Sequence, residues 1–415
     1  MSAGSQRVCL ALALMSCVVA LLPRAALAHG ERNQEPFLRM RTVHWYDVAW
    51  SATRVPVNGE LIITGRFRLF EDWPRSLPEP DTVFLGSGTP GPVFVRTASY
   101  INGTPMIQST ELVAGRDYEF RTVLRGRIPG RHHVHPMLNV RDAGPLLGPG
   151  AWVEVAGSAD EFKLPASTLT GENIEDLQTW GLSTVLLWHG LWITAALLWM
   201  LWWVRRPLFA PRYAALKAGA EQELVTRLDR RVGAALLIAT LVVVFAGYRW
   251  AQARYPRTIP LQAGRATVEP LPADAQRVRV KVLRAGYDVP GRSMRARLEV
   301  TNETPQAVQL GEFATANVRF VDWQLPAARA GVDPRYPREL IAKNGLVIDD
   351  RSPLAPGETR HLNIEMTDAA WEIERLIGLH NDPDSRFGAL LFFYDSAGGR
   401  RLASISGPIV PSFLP

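Results

Sequence analysis

Apolar and polar positions in this chain fall into three patterns, and their order gives a first outline of the fold. Short alternating stretches come first. Leu61, Ile63, Phe67 and Leu69 alternate with Thr64, Arg66 and Arg68, the period of two that sets one strand face on a core and the other in water. Tyr118-Glu119-Phe120 with Val123-Leu124 marks another strand. Turn residues punctuate this region at Pro78-Glu79-Pro80, Gly86-Ser87-Gly88, Pro129-Gly130 and Gly148-Pro149-Gly150. Many short strands with such punctuation predict a sandwich or barrel. Alternation returns later, where Met294, Ala296, Leu298 and Val300 alternate with Arg295, Arg297, Glu299 and Thr301. The continuous apolar run Gly388 to Tyr394 predicts a buried strand, Leu354-Ala-Pro-Gly357 and Ser396-Ala-Gly-Gly399 predict turns, and Asp368 to Leu379 predicts one short helix.

The second pattern is unbroken apolarity. Leu182 to Val204 holds 23 residues with no Asp, Glu, Lys or Arg, and five of them are Trp (188, 192, 199, 202 and 203). That length spans a bilayer. Val232 to Tyr248 is a second apolar stretch of 17 residues, placing a second span at 232–249. The loop between them, 205–231, carries Arg205, Arg206, Arg212, Lys217, Arg227, Arg230 and Arg231. An excess of basic residues assigns that loop to the cytoplasm and both flanking regions to the opposite, periplasmic side.

The third pattern is at the start. Arg7 precedes an uncharged core from Val8 to Leu22, and Ala26-Leu27-Ala28 follows with small residues at the two positions a signal peptidase reads. The alternative is an uncleaved membrane helix, for which this core is short. Residues 1–28 are therefore expected to be a signal peptide, with His29 as the first residue of the mature chain. The expected fold class is mainly β with membrane helices. Two periplasmic β-sandwich or barrel domains, 29–172 and 265–415, are linked by two transmembrane helices.

Composition narrows the chemistry. The only cysteines among 415 residues are Cys9 and Cys17, both in the expected signal peptide. A mature chain without cysteine has no disulfide framework, thiolate metal site or cysteine nucleophile. The formal charge of +6 is spread rather than gathered in a stripe, which leaves no nucleic-acid footprint. No phosphate-loop or dinucleotide fingerprint is present.

Eight histidines remain. In Arg131-His132-His133-Val134-His135, residues two apart share a strand face, so His133 and His135 can present two imidazoles to one ion while His132 points away. His29 at a free N-terminus adds an α-amine and a ring nitrogen, which together close a chelate ring. Four nitrogens in a tetragonal set suit Cu(II) above other first-row ions, and an amine with an intrinsic pKa near 8 is readily deprotonated to bind. The predicted metal ligands are thus His29, His133 and His135. His44, among aromatics, reads as a packed core residue. His189 lies within the first span, where an ionisable group is a functional candidate by default. His361 and His380 have no partner at metal spacing. No general acid or base is assignable.

The stretch His29-Gly-Glu-Arg-Asn-Gln-Glu-Pro-Phe-Leu-Arg-Met-Arg-Thr-Val-His-Trp-Tyr-Asp47 resembles the mature start of the B-subunit of the copper membrane monooxygenases, the family of particulate methane monooxygenase and ammonia monooxygenase. So do Pro90-Gly-Pro-Val-Phe-Val95, Gly130-Arg-His-His-Val-His135, Tyr255-Pro-Arg-Thr-Ile-Pro-Leu-Gln-Ala-Gly264, Leu354-Ala-Pro-Gly-Glu-Thr359 and Asp382-Pro-Asp-Ser-Arg-Phe387. The resemblance runs in order along the whole mature chain. It implies two periplasmic cupredoxin-like domains joined by two membrane helices, in a bacterial inner or intracytoplasmic membrane. It implies membrane subunits A and C as partners in a trimer of heterotrimers, and oxidation of methane or ammonia by O₂. Its copper site maps onto His29, His133 and His135. Catalysis falls either at this site or in a partner subunit.

One departure follows. Some members pair the histidine equivalent to His44 with a second histidine in the next strand, where Gly65-Arg-Phe-Arg-Leu-Phe70 places Arg68. A guanidinium does not ligate a metal, so that second site is not expected. Without cysteine the C-terminal domain forms no blue-copper centre. The rival reading is a membrane-anchored periplasmic copper-binding or assembly protein without oxygenase activity. A redox carrier is disfavoured by the missing cysteine.

Overall fold

The computed structural model describes residues 34–204, 209–257, 264–274, 277–381 and 384–413. The expected signal peptide, His29 and the Arg205-Arg206 pair lie outside the described residues. The chain is mainly β, with two long apolar helices. It divides into two compact units, Met1–Glu161 with Gly264–Pro415, and Phe162–Ala263.

In the first unit a short helix, α1 (Pro36–Arg41), leads into β1 (Val43–Trp50) and β2 (Glu60–Leu69). β3 (Val83–Gly88), β4 (Phe94–Ile101), β5 (Asp117–Gly126), β6 (Gly130–Val140), β7 (Gly144–Leu147) and β8 (Ala151–Ala156) follow. One sheet runs in the order β1-β2-β5-β4. The other contains β3-β6-β8, with β7 also paired to β6. The alternation read in the sequence is the burial pattern of β2: Leu61, Ile63, Phe67 and Leu69 are all buried. Tyr118 to Leu124 forms the single strand β5.

The C-terminal part of this unit holds β9 (Val278–Asp288), β10 (Ser293–Asn302), β11 (Val308–Thr315), β12 (Val318–Val321), β13 (Thr359–Thr367), β14 (Arg386–Asp395) and β15 (Arg400–Pro408). Its sheets contain β13-β10-β9 and β12-β11-β14-β15. Met294, Ala296, Leu298 and Val300 face the core, and nine of the ten residues of β14 are buried. The single helix expected over Asp368–Leu379 is two pieces, Ala370–Ile373 and a 3₁₀ turn at Leu376–Asn381. Arg375 between them takes φ +56°, which an α-helix does not admit. Trp371, in the first piece, lies in the core against Phe320 and Tyr287 and donates from Nε1 to Met366 O at 2.9 Å.

The N- and C-terminal β regions are joined by one fully buried ion pair, two partly exposed ones and an apolar cluster. Arg39 of α1 donates to Glu374 O at 2.7 Å and Ala316 O at 2.9 Å, and pairs with the Glu374 carboxylate at 3.2 Å. Arg41 pairs with Asp384 at 2.7 Å, and Arg386 with Asp72 at 2.6 Å. Phe70 packs with Val321, Leu390 and Phe392.

The second unit contains α2 (Leu182–Val204) and α3 (Arg227–Arg254), both long and apolar enough to cross a membrane. At 1.5 Å per residue they extend about 35 and about 42 Å, against a hydrocarbon core of about 30 Å. α3 exceeds the 17-residue apolar stretch because good helix formers flank it. Its start is fixed by Thr226, whose hydroxyl accepts from Asp229 N while the Asp229 carboxylate accepts from Thr226 N. Asp229 also accepts from Trp202 Nε1 of α2 at 2.9 Å. A Cβ at Gly247 would lie 2.8 Å from the Trp188 ring. A small residue there admits the indole between the two helices. His189 donates from Nδ1 to Val185 O at 2.8 Å within α2.

Candidate metal centre

His133 and His135 lie on β6, two residues apart, and both side chains are buried. The period of two brings their rings together with centroids 4.5 Å apart and planes at 88°. His132 points elsewhere, with its ring edge-on to Phe94 and Nε2 donating to Ile128 O at 2.9 Å.

The backbone opposite the pair is irregular. β7 and β8 run along the same edge of β6, Leu147 opposite Met137 and Ala151 opposite Val134. Gly148, Pro149 and Gly150 thus face only His135 and Pro136, a bulge with one residue more than its partner. The bulge turns Gly148 O onto His135, whose Nδ1–H donates to it at 2.9 Å. Fixing Nδ1 in this way sets the ring orientation and the tautomer, with the proton on Nδ1 and the lone pair on Nε2.

Glycine is required at the bulge. A Cβ on Gly150 would lie 2.2 Å from His135 Cε1 and 2.6 Å from His133 Cε1. Both rings therefore rest on bare backbone. On the far edge of β6, Gly88 stands opposite His135, and a Cβ there would lie 2.6 Å from Leu147 Cδ2. Trp152, the cross-strand partner of His133, packs its ring 4.9 Å from the imidazole, with the Arg131 guanidinium 4.8 Å over the indole.

The structure thus brings two of the three predicted ligands together; His29, the third, lies outside the described residues. Among the described residues no third His, Cys, Asp or Glu completes a metal-holding group. The pair fits a metal that takes imidazole: two nitrogen donors on one strand face, one tautomer fixed by a backbone carbonyl, and a glycine cradle that a side chain would fill. Gly148-Pro149-Gly150 reads in the sequence only as a turn. Its role against the rings needs the register of three strands.

His44 is elsewhere. Its Nε2 donates to Met40 O, and its ring stacks on Phe70 at 4.5 Å. Burial drives its pKa down to about 4, the Met40 bond opposing and the Arg68 charge adding to the fall. Arg68 is its cross-strand partner and is held by Asp117 and Glu71. His361 is exposed and lies 3.3 Å from Glu299.

The fold and the paired histidines define a β-rich chain with two apolar helices and a two-imidazole candidate metal site. A family model for the B-subunit protein of monooxygenases matches residues 30–413, and the chain belongs to that family. A curated relative from Methylococcus capsulatus (strain ATCC 33009 / NCIMB 11132 / Bath), named particulate methane monooxygenase alpha subunit, is 46% identical over 407 residues, 97% of each chain. The two descriptions differ on the subunit's label and agree that it is part of a monooxygenase. Among solved structures, the cupredoxin domain of amoB from Nitrosocaldus yellowstonii is 20% identical, covering 32% of this chain and 98% of that one at a TM-score of 0.25. The fibronectin(III)-like modules of Clostridium thermocellum CbhA are 7% identical, covering 89% of this chain and 95% of that one at 0.14. At these scores neither likeness carries an argument.

Proposed function

We propose that this chain is the copper-binding B-subunit of a membrane-bound monooxygenase that oxidises a small substrate, methane or ammonia, with O₂. The observation that carries the reading is the His133–His135 pair at the Gly148–Gly150 bulge, with Nδ1 of His135 already engaged. His29 supplies its ring and α-amine as the remaining nitrogens. Gln34, five residues on, accepts from Leu147 N at 3.3 Å on the strand beside the pair. Five extended residues reach at most about 18 Å, which bounds how far His29 lies from Gln34. Copper held by such nitrogens supplies one-electron redox chemistry. This chain's residues bind it, orient the two rings and keep side chains out of the cradle.

In the same reading residues 1–28 are removed on export, and α2 and α3 cross the membrane. The loop 205–231 is cytoplasmic, and the two cupredoxin-like β regions are periplasmic. Membrane subunits A and C assemble with the chain into a trimer of heterotrimers. The test is metal analysis of the purified full chain. Replacing His133 and His135 together by Ala should remove the bound copper. Copper content equal to that of the parent chain would overturn the assignment.

A further inference from the structure

We infer that the C-terminal β region braces the metal site from outside, and that Asn317 is a positioning residue for the His135 ring. The inference rests on the copper reading above. β11 and β12 are joined by a two-residue turn, Ala316–Asn317, with Thr315 opposite Val318. Both turn residues have positive φ, +49° and +70°, as this tight hairpin geometry demands. The turn is held from outside its own sheet. Arg39, buried, donates to Ala316 O at 2.9 Å, and Tyr336 donates its hydroxyl to Asn317 O at 3.1 Å.

So fixed, the Asn317 amide reaches β7, the strand paired beside the histidine-bearing β6, and donates from Nδ2 to Leu147 O at 3.2 Å. The Leu147 N–H is taken from the other side by Gln34 at 3.3 Å. Leu147 is thus clamped at both backbone groups by side chains that do not belong to its sheet. The next residue, Gly148, presents the carbonyl that receives His135 Nδ1, and the Leu147 side chain lies over Gly88, the partner of His135. Gly148 keeps one hold of its own, its N–H on Pro136 O at 2.8 Å, so release of Leu147 loosens, from one side, the carbonyl that sets the imidazole's rotation. The ligands are in the N-terminal region, while one hold on their geometry is in the C-terminal region, far away in sequence.

Asn317→Gly tests this, because glycine keeps the positive φ of the turn and removes only the amide. The full chain in detergent is loaded with Cu(II), and its affinity is read by chelator competition together with its electron paramagnetic resonance spectrum. The expected result is copper binding weaker by about 10-fold or more, the usual scale for losing a group that orients a ligand, with altered copper hyperfine splitting. Gln34→Ala removes the opposite hold without touching the hairpin and should shift the spectrum in the same way. Parental spectra and affinities in both variants would overturn the inference, even if Asn317→Gly lowers the melting temperature. If the His133/His135 double variant binds copper as the parent chain does, the copper reading itself has failed, a result distinct from failure of the Asn317 inference.

Discussion

Arg39 and Glu374 form an ion pair at 3.2 Å in which neither side chain is open to solvent, across 335 residues of sequence. Arg39 also donates to two carbonyls of the C-terminal region. The pair therefore links α1, a few residues after the expected mature N-terminus, to the second β region. A buried pair is not a large net gain in itself, but removing one partner leaves the other charged and desolvated. Glu374→Ala should cost about 3–5 kcal/mol, read as a lowered thermal or denaturant midpoint of the full chain. Glu374→Gln keeps an acceptor for Arg39 and should cost less. Equal midpoints for Glu374→Ala and the parent would show that the joint carries no stability.

His44 gives the structure a defined acid sensitivity. It is neutral when folded, with a pKa near 4, against 6.5 when exposed. Between those values the unfolded chain binds the proton that the folded chain refuses, so stability rises with pH across that window. The contribution is fully present above about 6.5 and is lost as pH falls toward 4. The shift corresponds to up to about 3 kcal/mol. His44→Gln retains a donor for Met40 O and does not titrate. It should flatten the stability profile between pH 4 and 6.5 in pH-dependent melting. Its copper content should match the parent's, because Arg68 stands across from His44 and is held by carboxylates. Loss of copper would show that His44 is a ligand.

The strands were legible where one face is wet. Leu61 to Leu69 and Met294 to Val300 alternate because their polar partners face water, and the same residues are buried in the sheets. The His133–His135 pair was legible for the same reason, since a spacing of two is itself the geometry of a strand face. What could not be read was anything set by long-range register. The bulge at Gly148–Gly150 exists only relative to Pro136 and His135, and Asn317 meets Leu147 over 170 positions. The apolar stretch Val232 to Tyr248 marked only the lipid-compatible middle of α3, because helix ends depend on a cap, Thr226 with Asp229, rather than on hydropathy. Arg375 ended a helix that pattern alone would continue, since no apolar period records a positive φ.

Gly150 offers a direct probe of the cradle. A methyl group there meets His135 Cε1 at 2.2 Å, His135 Nδ1 at 2.5 Å and His133 Cε1 at 2.6 Å. No real Cβ tolerates such distances, so both rings must turn or the bulge must open. Either movement breaks the bond from His135 Nδ1 to Gly148 O or separates the two imidazoles. The backbone of Gly150 is not in the left-handed region, so alanine carries no strain from φ, and the effect reports on the rings alone. Gly150→Ala should lower copper affinity by about 10-fold or more, measured by chelator competition on the full chain. Gly190→Ala, in α2, meets nothing within 4 Å and serves as the control, with parental copper binding expected. Unchanged affinity in Gly150→Ala would mean that the metal is held away from the face where these two rings meet.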